Sequence, residues 1–385
     1  MSDSSPWAVL FGGPSPEHEI SILTGLQAER VLTKSGEDVL PIYWAPSGEW
    51  FLVPSGSEAK DFIDGVPRGS KPIEVRLSGN PGLYVKKRIG ADELEISAVL
   101  MTLHGGIGEG GGAAAVFALL GIPATGSSLF AGAVGMDKLA FGGLMEVAGV
   151  PTLRRELLSA TIAPTFVGPY IVKPRFGGSS IGIEIVEDVD AARAVSRASA
   201  HLRAGAVVEP YRPELVDLNI SFRTFPSLET TAVERPIREA RSDAAPGLYS
   251  YADKYLSGGA GSETGFMSAP REFPAKLAAG LADQARDIAL RVAEVTGLTG
   301  IVRVDLLLDE QKGELFVNEV NSIPGAMALY LWAPTVTAAQ VLKDALIEAR
   351  DHRVVMPASG FGSGAALRAA GGIAGKLVGL DGPRG

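Results

Sequence analysis

The sequence predicts an α/β fold that opens with a doubly wound parallel-sheet domain. Three observations carry this. A short apolar strand at 7–11 runs into Gly12-Gly13 and then a helical run at 20–32. Strand, glycine turn, helix is a doubly wound opening, with the ligand face at the strand's C-terminal end. A second buried strand at 96–103 ends in His104-Gly105-Gly106-Ile107-Gly108-Glu109-Gly110-Gly111-Gly112, and a helix at 113–120 follows. Much later, 302–325 (VRVDLLLDEQKGELFVNEVNSIPG) reads as two apolar strands around a turn.

Composition bounds the rest. A chain of 385 residues suggests two or three domains with ample core, and 46% apolar residues exclude a disordered chain. The net charge is −9 and there is no long basic run, which argues against nucleic acid or an anionic membrane as partner. No cysteine occurs, so disulfides, thiolate metal sites and Cys nucleophiles are excluded. The four histidines, His18, His104, His201 and His352, do not pair at zinc-ligand spacing. The N-terminus lacks a signal-peptide pattern and no apolar run is long enough to span a bilayer. A soluble cytoplasmic chain is the expectation.

In order, Pro14-Ser15-Pro16-Glu17-His18-Glu19 leads into the first helix, with Ser15 as the expected cap. Glu17 reads either as a cation-binding acid or as a helix-start acid meeting the dipole. GGPSPE lacks G-x-G-x-x-G, so this is no dinucleotide fingerprint. A second strand falls at 39–44, and 45–95 yields no clear elements. The segment 121–126 reads as the last short strand of the unit, with a domain boundary near 127. Lys138 lies in a helical run at 128–148, and Lys173 ends a strand at 171–174. The loop 177–182, GGSSIG, lies between that strand and another at 183–186, and such a loop can fold over phosphates. It is not a Walker A loop, which leads into a helix. The run GGIAGK at 371–376 is no Walker A loop either, because Leu377 stands where Ser or Thr is needed. A strand at 206–211 exits through Pro210. Further strands fall at 220–225 and 230–234, helices at 274–298 and 338–350, and a Gly/Ala-rich tail at 357–385. The polar segment 241–269 is too long for an ordinary connection, and Tyr249, Tyr251, Lys254 and Tyr255 favour a functional loop there.

The late hairpin carries the most chemistry. On a strand, residues two apart share a face, so Arg303 and Asp305 point together, as do Glu319 and Asn321. If the loop is the three residues 311–313, with Gly313 left-handed, Asp305 lies opposite Glu319 and Arg303 opposite Asn321, and a slip of one pair leaves them diagonal neighbours. Facing carboxylates repel. A hard cation would remove the repulsion, with Asn321 adding a neutral oxygen, and these are ligand types Mg²⁺ prefers. A solvated hairpin face with an Arg–Glu pair explains the same residues.

Eight segments now stand in one order: LFGGPSPEHEIS, LHGGIGEGGG, GSSLFAGAVGMDK, IVKPRFGGSSIG, VVEPY, YSYADKYLSG, VRVDLLLD and VNEVNSIPG. Together they resemble the D-alanine–D-alanine ligases of the ATP-grasp superfamily, from about residue 9 to 332. The resemblance implies an α+β ATP-grasp architecture: an N-terminal Rossmann-like domain (1–126), a central ATP-grasp domain (127–211), a C-terminal ATP-grasp domain with a metal site (212–356) and the tail (357–385). It implies ATP-dependent joining of two D-alanines through an acyl phosphate, for cell-wall (peptidoglycan) precursors. ATP and Mg²⁺ are the implied cofactors, with two ions expected and Mn²⁺ as a substitute. The implied partners are small amino acids, and by analogy a second copy of the chain in a homodimer.

By matching motif, Lys138 and Lys173 hold the ATP phosphates under a loop carrying Ser179 and Ser180. Glu209 reaches the adenine amino group, helped by backbone around Tyr211. Asp217 takes the ribose, with Glu214 second. Asp305, Glu319 and Asn321 match the metal ligands. Arg303 and the Gly325 N–H sit at the reaction centre, Glu17 holds the first ammonium, and Lys254 and Tyr255 belong to the closing loop. His104 and Tyr330 complete the substrate contacts. Three departures bear on the substrates: Gly110 where the family has an acid, Tyr330 near a carboxylate-binding Ser, and a short segment at 151–170. They admit an alternative, an amino-acid or peptide ligase of a specialised pathway with another second substrate. A non-catalytic nucleotide-binding protein is disfavoured, because no metal ligand or phosphate lysine is missing.

Overall fold

Ala8, Val9, Leu10 and Phe11 are fully buried, as a strand covered on both faces requires. They lie in β1 (Trp7–Gly12), which turns through the glycines into α1 (His18–Lys34). Gly25 lets the helix lie on the strand, since a Cβ there would stand 2.4 Å from the Phe11 side chain. β2 (Val39–Trp44) runs parallel to β1. The stretch without sequence assignment supplies β3 (Trp50–Leu52), β4 (Lys71–Arg76), β5 (Gly82–Lys86) and β6 (Ala91–Glu93). These form an antiparallel meander outside β2, the arrangement short connections permit. β7 (Val99–Met101) lies on the other side, parallel to β1, and α2 (Ala113–Leu120) follows. The sheet order is β6-β5-β4-β3-β2-β1-β7, so only its β2-β1-β7 part is parallel. The strand expected at 121–126 shrinks to one bridge, Val99 to Ala124.

The computed structural model describes residues 5–237, 270–352, 364–370, 373 and 377. The chain divides into two units, 1–353 and 354–385, and the second contributes one described helix, Ala365–Ala369. Lys254, Tyr255 and the rest of the 241–269 loop lie outside the described residues, as does most of the tail.

Two helices, α3 (Leu129–Met136) and α4 (Lys138–Val147), replace the single run expected over 128–148. Asp137 breaks it, with extended backbone and a carboxylate accepting from the N–H groups of Leu139 and Ala140 at 3.0 and 3.2 Å. That is an N-cap, and it makes Lys138 the first residue of a helix. An antiparallel sheet follows, built from β8 (Glu156–Leu157), β9 (Tyr170–Pro174), β10 (Glu184–Val186) and β11 (Ala206–Pro210), in the order β10-β9-β11-β8. Helix α5 (Val189–Ala198) lies between β10 and β11 in sequence.

The next sheet has the order β13-β12-β16-β17. It contains β12 (Val216–Arg223), β13 (Glu229–Thr230), β16 (Ile301–Asp309) and β17 (Glu314–Asn321). A separate ribbon pairs β14 (Arg235–Pro236) with β15 (Arg271–Glu272). Helix α6 (Leu281–Thr296) starts later than the expected 274, after Gly280 at φ 85°. After β17 come a short α7 (Leu329–Trp332) and α8 (Ala338–Asp351). Val341, Leu342, Ala345 and Leu346 of α8 pack into the core of the first sheet, so the last helix of this unit is tied to its first strands.

A buried ion pair fastens α8 to β12: Arg223 meets Asp344 at 2.7 Å, and its guanidinium lies 5.1 Å from the Trp332 ring. Breaking such a pair from one side leaves a buried charge, so Arg223→Met should destabilise the chain by about 3–5 kcal/mol. Adding Asp344→Leu should recover most of that loss, because the uncompensated charge is gone. Urea unfolding of both variants measures the difference.

Candidate active site

The hairpin pairs as the sequence predicts, with Arg303 facing Asn321 and Asp305 facing Glu319. The route differs. Asp309 pairs with Glu314, so the loop has four residues, which alone would move Asp305 off Glu319. A β-bulge restores the register: Leu306 pairs with Val317, and Asn318 is the extra residue. The bulge also lets Val317 and Val320 both face the core while Asn318 and Glu319 line the cleft.

Above this platform sit the cations. Lys138 donates to the Gly177 carbonyl and pairs with Glu319 at 3.1 Å. The Asp137 cap that sets Lys138 is itself held by Arg175 at 2.8 and 2.6 Å. Lys173 meets Glu209 at 2.8 Å and Asn318 Oδ1 at 3.2 Å. Glu209 is fully buried, and its other oxygen accepts from Arg155. Burial alone would raise the Glu209 pKa, but the charges of Arg155 and Lys173 hold it below the usual glutamate range. Tyr211 and Asp217 line the same cleft, whereas Glu214 pairs with Arg212.

Three loops meet at Glu17. It is the residue before α1 and is 8% exposed, and Ser179 donates its hydroxyl to it. Ser15 does not cap the helix; its hydroxyl accepts from the Glu17 N–H at 3.1 Å. Gly105, at φ 66°, passes so close that a Cβ would lie 2.2 Å from Glu17 Oε2. Ser179 and Ser180 have φ of 52° and 59°, so two serines of the GGSSIG loop adopt the left-handed region alongside Gly182 at 74°. Ala326, Met327 and Ala328, just after Gly325, do the same at 49°, 52° and 49°.

His104 and Glu109 hold that second turn. His104 Nδ1 donates to the Ile323 carbonyl at 2.8 Å, and its Nε2 bonds the Thr24 hydroxyl at 2.8 Å. Burial pushes the imidazole down to about 4, so His104 is neutral at pH 7. The Ala326 N–H donates to Thr24 at 3.2 Å. Glu109 accepts from the N–H groups of Gly105 and Ile323 at 2.8 and 3.2 Å. Burial first, then the Glu17 charge, push it up to about 7.

Arg303 grips Asp305 through both oxygens at 2.7 and 3.0 Å. Beside them the Tyr330 hydroxyl donates to Glu234 at 3.2 Å, with Arg271 stacked 4.3 Å from its ring centre. Glu234 is 3% exposed and also takes Asn219 at 2.9 Å and Arg271 at 3.4 Å. Burial raises the Tyr330 phenol well above its ordinary value. One cleft is thus lined by Lys173, Ser180, Glu209, Asp305, Glu319 and Tyr330 among others.

Two family models match the chain. The D-ala D-ala ligase N-terminus covers residues 7–127, and the D-ala D-ala ligase C-terminus covers 133–349. The chain belongs to the D-alanine–D-alanine ligase family. It is 30% identical to a D-alanine–D-alanine ligase of Deinococcus radiodurans, over 82% of this chain and 88% of the relative. It is 32% identical to one of a Methylobacterium species, over 88% of this chain and 90% of the relative. The solved D-alanine–D-alanine ligase from Coxiella burnetii superposes with a TM-score of 0.72 at 20% identity, covering 91% of this chain and 95% of that one. The fold is therefore the ATP-grasp fold of these ligases.

Several of the residues that build this cleft carry no local signal. Arg155, Asn318, Glu234 and Arg271 owe their places to partners far along the chain. Asp137 is the exception, because an Asp just before a helix restart is a cap signal.

The raised Glu109 pKa sets a pH dependence. An unfolded chain releases this proton near the ordinary glutamate value of 4.5 and the folded one only near 7. The folded state holds more protons between them, so stability present below that window is lost as pH rises through it. Glu109→Gln should flatten the fall in unfolding free energy across this window, as denaturant titrations at several pH values would show.

Proposed function

We propose that this chain is an ATP-dependent ligase that joins two D-alanines, and that the cleft described above is its active site. The observation that carries the reading is the facing pair Asp305–Glu319 set beside Lys138 and Lys173. The curated relatives, named as D-alanine–D-alanine ligases, favour this over a specialised-pathway ligase. The central lobe would span 127–211 and the C-terminal lobe 212–356.

Among the described residues no helix is long and apolar enough to cross a membrane. Use of ATP suits a cytoplasmic place.

A carboxylate does not acylate an amine at neutral pH, because its oxygen is a poor leaving group. ATP gives its terminal phosphoryl group to the first D-alanine, forming an acyl phosphate and ADP. The second amine then attacks the acyl carbon and phosphate departs. Such transfer needs mainly positioning and charge neutralisation. Lys138 and Lys173 hold the phosphates, under the loop of Ser179 and Ser180. Glu209 and Tyr211 face the base and Asp217 the ribose. Glu17 takes the first ammonium, with neutral His104 fixing the loops around it. Arg303 and the Gly325 N–H face the oxyanion of the tetrahedral intermediate, where losing one donor typically costs about 3–4 kcal/mol of barrier. Lys254 and Tyr255 belong to the segment that would exclude water from the acyl phosphate. Tyr330 bounds the second amino acid's place.

The residues fit Mg²⁺. Asp305, Glu319 and Asn321 offer oxygen donors alone, and Asn321 Nδ2 is a buried amide nitrogen with no hydrogen-bond partner. The other face of that amide is an oxygen, and the two ends are interchangeable on rotation. When bound, the metal would neutralise charge on the transferring phosphoryl group.

Phosphate release and dipeptide formation with ATP, Mg²⁺ and D-alanine alone test the reading. Turnover is expected, while activity only with other acids or amines would remove D-alanine as the substrate. Glu319→Gln should abolish turnover and leave the fold intact by circular dichroism, and substantial residual ligation would count against the metal assignment.

A further inference from the structure

Arg155 has no role in the scheme above, yet its side chain is only 2% exposed in the heart of the site. Its Nε donates to Glu209 Oε1. Its Nη1 donates to the Lys138 carbonyl at 2.7 Å and its Nη2 to the Asn318 carbonyl at 2.9 Å. One guanidinium thus joins β11, the start of α4 and the bulge of β17. Gly142 makes room for it, since a Cβ there would stand 3.2 Å from Nη1. Lys173 holds the other Glu209 oxygen at 2.8 Å.

The two cations differ in what they can do. A guanidinium is planar and forked, and that of Arg155 is fixed on three acceptors at once. Lys173 is a point charge on a flexible stem. A carboxylate as buried as Glu209 cannot lose its counter-ion without a large penalty. With Lys173 as its sole partner, that lysine would be committed to Glu209 and unable to turn toward a polyphosphate. With Arg155 fixed on Oε1, Lys173 can leave while Glu209 remains charged and paired.

We propose that Arg155 is a positioning residue for the nucleotide: the permanent counter-ion of Glu209, whose presence frees Lys173 for the phosphates. This rests on the reading of the cleft as an ATP site. It makes Arg155 act through Glu209, so its effect disappears when Glu209 carries no charge.

Calorimetric titration with ADP and Mg²⁺ reads this without turnover. Wild-type chain should bind ADP, and Arg155→Met should weaken binding at least about tenfold. In a Glu209→Gln background the same Arg155→Met change should shift the ADP affinity by less than about threefold, because the coupling is gone. Arg155→Lys, which keeps the charge but loses the fork, should bind ADP less tightly than wild type and more tightly than Arg155→Met. Equal losses in both backgrounds would overturn the proposal, since Arg155 would then act by shape. So would a folded Arg155→Met chain that binds ADP like wild type, or a folded Arg155→Lys chain that loses as much as Arg155→Met. A wild-type chain that does not bind ADP would refute the nucleotide reading itself, and this proposal with it.

Discussion

A charge placed in a largely buried cleft must find its partner there, and the site is built on that constraint. Removing an ion from water costs several kcal/mol even after relaxation. Glu209 meets Arg155 and Lys173, Asp305 meets Arg303, Glu234 meets Arg271, and Glu319 meets Lys138. Except for Arg303 and Asp305, which share a strand, each pair joins segments remote in sequence. The two antiparallel sheets are joined at the bulge, where Lys173 donates to Asn318 Oδ1 and Arg155 to the Asn318 carbonyl.

Strain is placed with equal economy. Among the described residues, the five non-glycine residues with left-handed φ all lie in the two loops over the site, 179–180 and 326–328. Conformations of this kind cost of order 1–3 kcal/mol each and persist only where the surroundings over-determine them. The surroundings here are identifiable. Ser179 is held on Glu17. The 326–328 turn is held by Thr24, which in turn is fixed by His104. Glu109 and His104 grip Ile323 just before it. The glycine-rich run after β7 thus clamps a loop more than 200 residues away.

How much of this was legible follows from how local each cause is. The facing of Asp305 and Glu319 came from a period of two, a turn near 310–313 and Gly313, all local. The four-residue loop and the bulge at Asn318 were not legible, because each shifts the register by one and the two shifts cancel. The antiparallel meander at 45–95 hid because its short strands alternate with Pro, Gly and charge. The break at Asp137 was visible in principle as a cap but was masked by a continuous apolar helical pattern. Arg155 carried no signal at all. In sequence it is one of two adjacent arginines, and only the folded chain shows which is buried: side-chain exposure is 57% for Arg154 and 2% for Arg155.

The departure at Tyr330 gains meaning from the same pairing rule. Read alone, it is a bulky ring near the position where the resemblance implies a small hydroxyl. In the structure its hydroxyl is committed to Glu234, and its ring lies against Arg271, which also reaches Glu234. A serine has neither the reach to meet Glu234 nor a ring face to carry the guanidinium. Tyr330, Arg271 and Glu234 therefore form one unit, and a change at any one strands a charge or a buried donor at the others. At the other end of the cleft, Glu209 is likewise fixed by an arginine with a second partner on its other oxygen. Both ends of the cleft thus use a carboxylate anchored by a guanidinium. The second partner differs: a lysine at Glu209 and the hydroxyl of an aromatic ring at Glu234.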